Sequence, residues 1–174
     1  MKPSTNPEPL HIHTILLAED DPRDAELTLA ALEGHDLANK VAVVGDGAEA
    51  LDYLYRRGKY EGRTGGDPAV VLLDNHMPKV NGLEVLKAMK TDERLKLIPV
   101  VVLTSSRETA DLIEFYKHGV NAYVVKPVDF SEFMNAVKQL GIFWAVVNEP
   151  PPVVTREEPL SKGVEEVFPE GIGS

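Results

Sequence analysis

The 174-residue sequence contains no cysteine, and this absence removes several classes of site at once. Disulfide frameworks, thiolate zinc sites and cysteine nucleophiles all depend on that residue. A chain of this length can still bury enough apolar surface to fold without a disulfide or a structural metal. We therefore expect one compact domain in a reducing compartment, and we predict a cytoplasmic location.

Long apolar segments and an excess of positive charge are missing as well. The first ten residues carry three prolines rather than the apolar run of a secretion signal, and no later segment is long enough for a membrane span. The 18 lysines and arginines are outnumbered by 28 aspartates and glutamates, for a formal net charge of -10. This charge repels phosphate backbones and anionic lipids, so we expect neither nucleic acid nor membrane as a partner.

Short apolar runs alternate five times with segments of helical periodicity. The expected strands are 14–18, 40–44, 69–73, 99–103 and 122–125; the expected helices are one opening at residue 22 and then 48–57, 83–90, 108–118 and 131–147. Residues 70–73 and 100–103 are apolar throughout, as burial between two helical layers requires. The pattern predicts an α/β, flavodoxin-like fold: a doubly wound parallel sheet of five strands, order 2-1-3-4-5, with five helices.

The distribution of proline predicts the limits of the domain. We expect an N-terminal extension over 1–13, a folded domain over 14–148 and a C-terminal arm over 149–174, which holds five of the 13 prolines. The arm has no pattern that could form a helix-turn-helix. A signal would therefore leave this chain by protein contact.

Polar side chains follow four of the five expected strands. In chain order they are Glu19, Asp20 and Asp21, then Asp74, then Thr104 and Ser105, and finally Lys126. Because the carboxyl ends of parallel strands share one edge of the sheet, these residues should converge there. Singly, each also has an ordinary structural interpretation as a helix cap, a turn residue, a strand-end hydroxyl or an exposed lysine.

Together these residue types indicate phosphoryl transfer. Clustered carboxylates repel one another unless a cation neutralises them, and oxygen ligands select Mg2+, for which Mn2+ could substitute. His76 is a single histidine, so we do not expect its side chain to be a ligand. A nucleophilic Asp74, a metal ion, Lys126 and a hydroxyl would meet the needs of a transfer onto a carboxylate.

The segment Asp-Asn-His-Met-Pro-Lys-Val-Asn-Gly at 74–82 resembles the acceptor loop of the response-regulator receiver family. Thr104, Tyr123 and the pair Lys126-Pro127 follow at the spacing of that family. The resemblance covers residues 14–147. It implies a protein of two-component signalling that receives a phosphoryl group from a histidine kinase.

The resemblance also implies roles for individual residues. Asp74 would be the phosphoacceptor, Glu19 and Asp20 would form the acidic pocket, and Lys126 and Thr104 would bind the phosphoryl oxygens. Asp20, Asp74 and the backbone carbonyl of His76 would hold Mg2+. The resemblance therefore implies that the chain is not an enzyme in the usual sense, although it would assist its own phosphotransfer and autodephosphorylation.

By the same resemblance Thr104 and Tyr123 form a switch pair. The hydroxyl would move towards the phosphoryl group and the ring would turn inward, which alters the face of helix four, strand five and helix five. A cis peptide bond is expected before Pro127. His76 and Ser106 occupy positions that tune the hydrolysis of the phosphoaspartate in the family.

Two segments indicate a subfamily and its partners. Residues 51–55 with the glycine-rich stretch after them, and residues 141–144 with the prolines that follow, resemble small receivers paired with phytochrome-type light-sensing histidine kinases. The run 142–147 is more apolar than one buried helix face requires. We therefore expect a homodimer through helix four, strand five, helix five and the C-terminal arm.

Two other functions compete with this one. A phosphohydrolase of the haloacid dehalogenase type places a second aspartate two residues after its nucleophile, where this chain has His76. A degenerate receiver would never accept phosphate, but the acidic pair, Asp74, Thr104 and Lys126 are all present.

Overall fold

The protein is described by a computed structural model that covers residues 13–33 and 37–151. Within these ranges parallel strands alternate with helices along the chain. The strands are β1 Ile15–Ala18, β2 Val41–Val44, β3 Val70–Leu73, β4 Val100–Thr104 and β5 Ala122–Val125. The helices are α1 Pro22–Glu33, α2 Gly47–Tyr55, α3 Gly82–Thr91, α4 Thr109–Lys117 and α5 Phe130–Ile142.

The five strands form one parallel sheet in the order β2-β1-β3-β4-β5, which confirms the predicted topology. Every residue of β1, β3 and β4 is buried, whereas the residues of β5 are half-buried. The buried strands β1, β3 and β4 each lie between two neighbouring strands, and helices cover both of their faces. Strands β2 and β5 form the two edges of the sheet.

Two hydrophobic cores lie on opposite faces of the sheet. One contains Leu16, Leu73 and Val102 from the strands and packs against α2, α3 and α4. The other contains residues that alternate with them, such as Leu72 and Val101, and packs against α1 and α5. This follows from the period of two along a strand, which sends neighbouring side chains to opposite faces.

The end of the fifth predicted helix differs from the expectation of one α-helix over 131–147. After α5 the chain continues as a π-helical turn over Phe143–Val147, where the N–H of Asn148 donates to the carbonyl of Phe143 at 2.7 Å. Ala145 in this turn is fully buried against the core on the α1 side, while Phe143 and Val147 are exposed. The wider turn therefore divides the apolar run between core and surface.

Close backbone packing fixes the loop between β3 and α3. A Cβ on Gly82 would lie 2.4 Å from the carbonyl oxygen of Asp74, so no larger residue fits without movement of the loop. The N–H of Gly82 donates to the carbonyl of Asn75 at 2.9 Å, and Asn81 forms a capping box with Glu84. These contacts hold the start of α3 against the end of β3.

Residues 1–12 of the N-terminal extension and 152–174 of the C-terminal arm lie outside the described residues, so the predicted domain limits stay a prediction. Among the residues that the structure describes, none of the helices combines the length and the hydropathy that a bilayer crossing needs.

Candidate functional site

Three carboxylates converge at the carboxyl end of the sheet. Glu19 and Asp20 directly follow β1 and Asp74 follows β3, and these strands are neighbours with Ala18 paired to Leu73. One carboxylate oxygen of each acid lies within 4.8 Å of the others. Glu19 and Asp74 are buried, whereas Asp20 is exposed. We call these three residues the carboxylate cluster.

The two buried acids of the cluster carry perturbed pKa values. Burial raises the pKa of Asp74, an effect that Lys126 opposes and the charge of Asp20 adds to. Burial likewise raises the pKa of Glu19, with the hydrogen bond from Lys126 acting against it and the charge of Asp74 acting with it. Holding both acids ionised therefore costs free energy that an added cation would recover.

Lys126 is the basic side chain of the site. Its Nζ donates to Glu19 Oε2 at 2.8 Å and to Asp24 Oδ2 at 2.7 Å, and lies 3.9 Å from Asp74 Oδ1. Burial would lower the pKa of Lys126, but the hydrogen bonds to the two acids and the charge of Asp74 outweigh it and raise the pKa. The side chain therefore stays charged near neutral pH.

The expected cis peptide bond before Pro127 is wrong for this structure, in which the Lys126–Pro127 bond is trans. The trans isomer is the more stable one for most X-Pro bonds. The N–H of Lys126 donates to the carbonyl of Thr104 at 2.7 Å, which extends the pairing of β4 with β5 to the lysine. With the trans bond, the lysine side chain still reaches the cluster.

Asp24 is a member of the site that the sequence analysis missed. It lies in the first turn of α1, where Asp21 caps the helix by accepting hydrogen bonds from the N–H groups of Arg23 and Asp24. Asp21 is thus the helix cap, and Asp20 is left free for the cluster. No sequence signal singles out Asp24, because an acid in the first turn of a helix is already explained by the helix dipole.

The predicted switch pair is joined through a third residue. Thr104 is fully buried, and its Oγ1 accepts a hydrogen bond from the N–H of Ser106 at 3.1 Å. Tyr123 donates its hydroxyl to the carbonyl of Ser106 at 3.4 Å, and its ring packs against Phe115. Ser106 Oγ in turn donates to Asp111 Oδ2 on α4 at 2.7 Å. Ser106 therefore connects Thr104, Tyr123 and α4.

The side chain of His76 lies on the surface, outside the carboxylate cluster. The donors that the structure does bring together are carboxylate oxygens, two of them on buried acids whose burial and mutual repulsion favour a cation. Such hard oxygen donors fit Mg2+ or Mn2+ and not a metal that prefers nitrogen or sulfur. The role of the His76 carbonyl stays a prediction.

Comparison with known families now identifies the class. The response regulator receiver domain profile matches residues 15–138, which is well over half of the chain. The chain therefore belongs to the response regulator receiver family of two-component signalling.

Among curated proteins, FilR2 of Methanothrix harundinacea, a probable methanogenesis regulatory protein, is 40% identical over 137 residues, which are 79% of this chain and 86% of FilR2. Response regulator Rcp1 of Synechocystis is 35% identical over 130 residues, 75% of this chain and 87% of Rcp1. A crystal structure of Rcp1 contains Mn2+; it has a TM-score of 0.74 and 34% identity, and covers 80% of this chain and 99% of Rcp1.

Two further solved structures are similar. The bacteriophytochrome response regulator AtBRR is 60% identical, with a TM-score of 0.64 over 79% of this chain and 99% of AtBRR. The phosphorylated cyanobacterial phytochrome response regulator RcpA is 36% identical, with a TM-score of 0.75 over 81% of this chain and 99% of RcpA.

Proposed function

We propose that Asp74 accepts a phosphoryl group from a phosphohistidine of a histidine kinase, and that the acyl phosphate changes a surface used for protein contact. The observation that carries this proposal is the convergence of Asp74, Glu19, Asp20 and Lys126 at one end of the sheet. RcpA, a relative, has been crystallised in a phosphorylated form.

In the proposed reaction a carboxylate oxygen of Asp74 attacks the phosphorus in line with the bond to the histidine nitrogen. The P–O bond forms, the P–N bond breaks, and the histidine leaves with its electron pair. Burial raises the pKa of Asp74, and the charge of Lys126 opposes that rise and so favours the ionised nucleophile. Lys126 and the hydroxyl of Thr104 then bind oxygens of the transferred group.

A divalent ion fits the carboxylate cluster, and Glu19, Asp20, Asp74 and the carbonyl of His76 are the groups that would hold Mg2+. The ion would supply positive charge to the oxygens of the transferring group. Support for Mg2+ or Mn2+ comes from the donor chemistry of the cluster and from the Mn2+-bound form of Rcp1.

The signal would leave through the face formed by α4, β5 and α5. Movement of Thr104 towards a phosphoryl group would break its hydrogen bond with Ser106, to which Tyr123 and Asp111 also bind. Asp111 belongs to the first turn of α4, whose Ile113 and Tyr116 side chains are about half exposed. The switch pair is therefore connected to an apolar surface.

For the partner kinase we propose a phytochrome-type light sensor. AtBRR and RcpA support this choice, since their names refer to phytochromes. FilR2 carries a different physiological role, so the kinase needs a direct test. Phosphotransfer from an autophosphorylated phytochrome kinase should exceed transfer from an unrelated histidine kinase at equal concentration. Equal rates would refute the phytochrome assignment and leave Asp74 chemistry intact.

We also propose a homodimer through α4, β5, α5 and the C-terminal arm. Its support is the exposure of large apolar side chains on α4, such as Ile113 and Tyr116, and on the π-helical turn after α5, such as Phe143 and Val147. Light scattering at micromolar concentration, with and without beryllofluoride as a phosphoryl mimic, should give the mass of two chains. The mass of one chain under both conditions would refute the dimer.

We propose that the chain catalyses only its own phosphorylation and dephosphorylation and acts on no other substrate. We also propose that it works in the cytoplasm and that neither nucleic acid nor a membrane is its partner. The test is the intact mass after incubation with acetyl phosphate and Mg2+. Wild type should gain one phosphoryl group, and Asp74→Asn should gain none. An unmodified wild type would refute the proposed function.

A further inference from the structure

Lys126 and a divalent ion would compete for the same carboxylate, that of Glu19. It donates to Glu19 at 2.8 Å, and Glu19 belongs to the carboxylate cluster that suits a divalent ion. An ammonium so close to Glu19 repels any other cation there and occupies one of its oxygens. A metal can use Glu19 fully only if the lysine has another place to go.

Asp24 provides that place. Its Oδ2 accepts from Lys126 at 2.7 Å, and Asp24 does not belong to the carboxylate cluster. An ammonium group has three N–H donors, of which Glu19 and Asp24 take two, while Asp74 Oδ1 at 3.9 Å is too far for a hydrogen bond. The third donor remains available on the side of Asp74.

We propose that Asp24 is a positioning residue that keeps Lys126 beside the carboxylate cluster, so that Glu19 is available to a divalent ion while the ammonium stays within reach of Asp74. The inference rests on the proposed metal-assisted phosphorylation. The ligand concerned is a divalent cation bound by oxygen atoms, and Asp24 affects the binding of that cation through Lys126.

The test measures Mn2+ binding to the full chain by electron paramagnetic resonance of the free ion, without any phosphoryl donor. Asp24→Asn should weaken Mn2+ binding about 10-fold, the low end for groups that orient metal ligands, because water can reach this partly exposed carboxylate. Lys126→Gln should strengthen binding, since the competing cation is gone. Asp24→Glu keeps the charge and should restore binding close to wild type.

A double-mutant cycle separates action through the lysine from simple loss of charge. In the Lys126→Gln background, Asp24→Asn should change Mn2+ affinity by less than about 2-fold. Glu26→Gln removes an exposed charge from the same helix and should leave Mn2+ affinity near wild type. Urea denaturation of each variant checks that the fold is retained.

The outcomes are distinct. Equal weakening by Asp24→Asn in both backgrounds would overturn the proposal, because Asp24 would then act only as a nearby charge. Unchanged affinity with lowered stability would also overturn it and leave Asp24 with a structural role. A wild type that binds no Mn2+ would overturn the metal site itself, whereas binding without coupling would refute only the role of Asp24.

Discussion

The substitution Lys126→Met removes the single ammonium that contacts the carboxylate cluster among the described residues. It leaves Glu19 and Asp74, whose side chains are only 4% and 10% exposed, without that cation. Breaking a buried ion pair from one side costs about 3–5 kcal/mol, and we expect the lower end, about 3 kcal/mol at pH 8. The reason is that Asp24, the third partner, is 36% exposed and can be hydrated instead.

The loss of stability should depend on pH. Burial already raises the pKa values of Glu19 and Asp74, and both rise further when Lys126 no longer opposes that effect. Acids with a pKa raised in the folded state bind more protons there than in the unfolded state, so the variant gains stability relative to wild type as the pH falls. The gap in the free energy of unfolding should narrow from pH 8 to pH 5.

Urea denaturation at both pH values, with EDTA or with excess Mg2+, measures this gap. A Mg2+ concentration about 100 times the dissociation constant adds about 2.7 kcal/mol to the free energy of unfolding of a protein that binds the ion only when folded. Lys90→Met is the matched control, because Lys90 is half-buried but donates to the Ile98 carbonyl and the Asn121 amide oxygen, which do not titrate. If Lys126→Met loses the same stability at pH 5 and pH 8, with or without Mg2+, the reasoning fails.

Three further substitutions test neighbouring parts of the account. Asp74→Asn should raise the melting temperature measured by calorimetry in EDTA by about 2–4 °C. The reason is that burial raises the pKa of this acid, so its ionised form costs stability above that pKa. A lower melting temperature would contradict this prediction. Gly82→Ala should cost about 1–3 kcal/mol, since its Cβ would lie 2.4 Å from the Asp74 carbonyl, while Gly66→Ala, with nothing within 4 Å, should match wild type in urea titrations. Asp111→Ala removes the acceptor of Ser106 Oγ and should cost about 1 kcal/mol, with faster amide exchange in the first turn of α4; unchanged exchange would argue against that contact.

The architecture could be predicted because its signals are local and consistent. Strands such as Val70–Leu73 are apolar at every position, as burial on both faces requires, and the alternation with helical segments then favours a parallel sheet. The π-helical turn Phe143–Val147 could not be predicted in the same way. An apolar run looks alike whether its hydrogen bonds span four residues or five.

Some residues of the site could also be predicted from the sequence, and others could not. Residues at strand ends could be brought together from topology alone, and Glu19, Asp20 and Asp74 do meet. Asp24 could not, because an acid in the first turn of a helix is already explained by the helix dipole, and its contact with Lys126 joins residues 102 apart. The link through Ser106 needed the path of the β4–α4 loop, which periodicity does not describe.

The most direct test of the account locates the acyl phosphate. Borohydride converts an aspartyl phosphate to homoserine, which tandem mass spectrometry can place in the sequence. After incubation with acetyl phosphate, we expect homoserine at position 74 with Mg2+ and almost none in EDTA. Homoserine at position 20 or 21, or at no position under conditions that phosphorylate a known receiver, would contradict it.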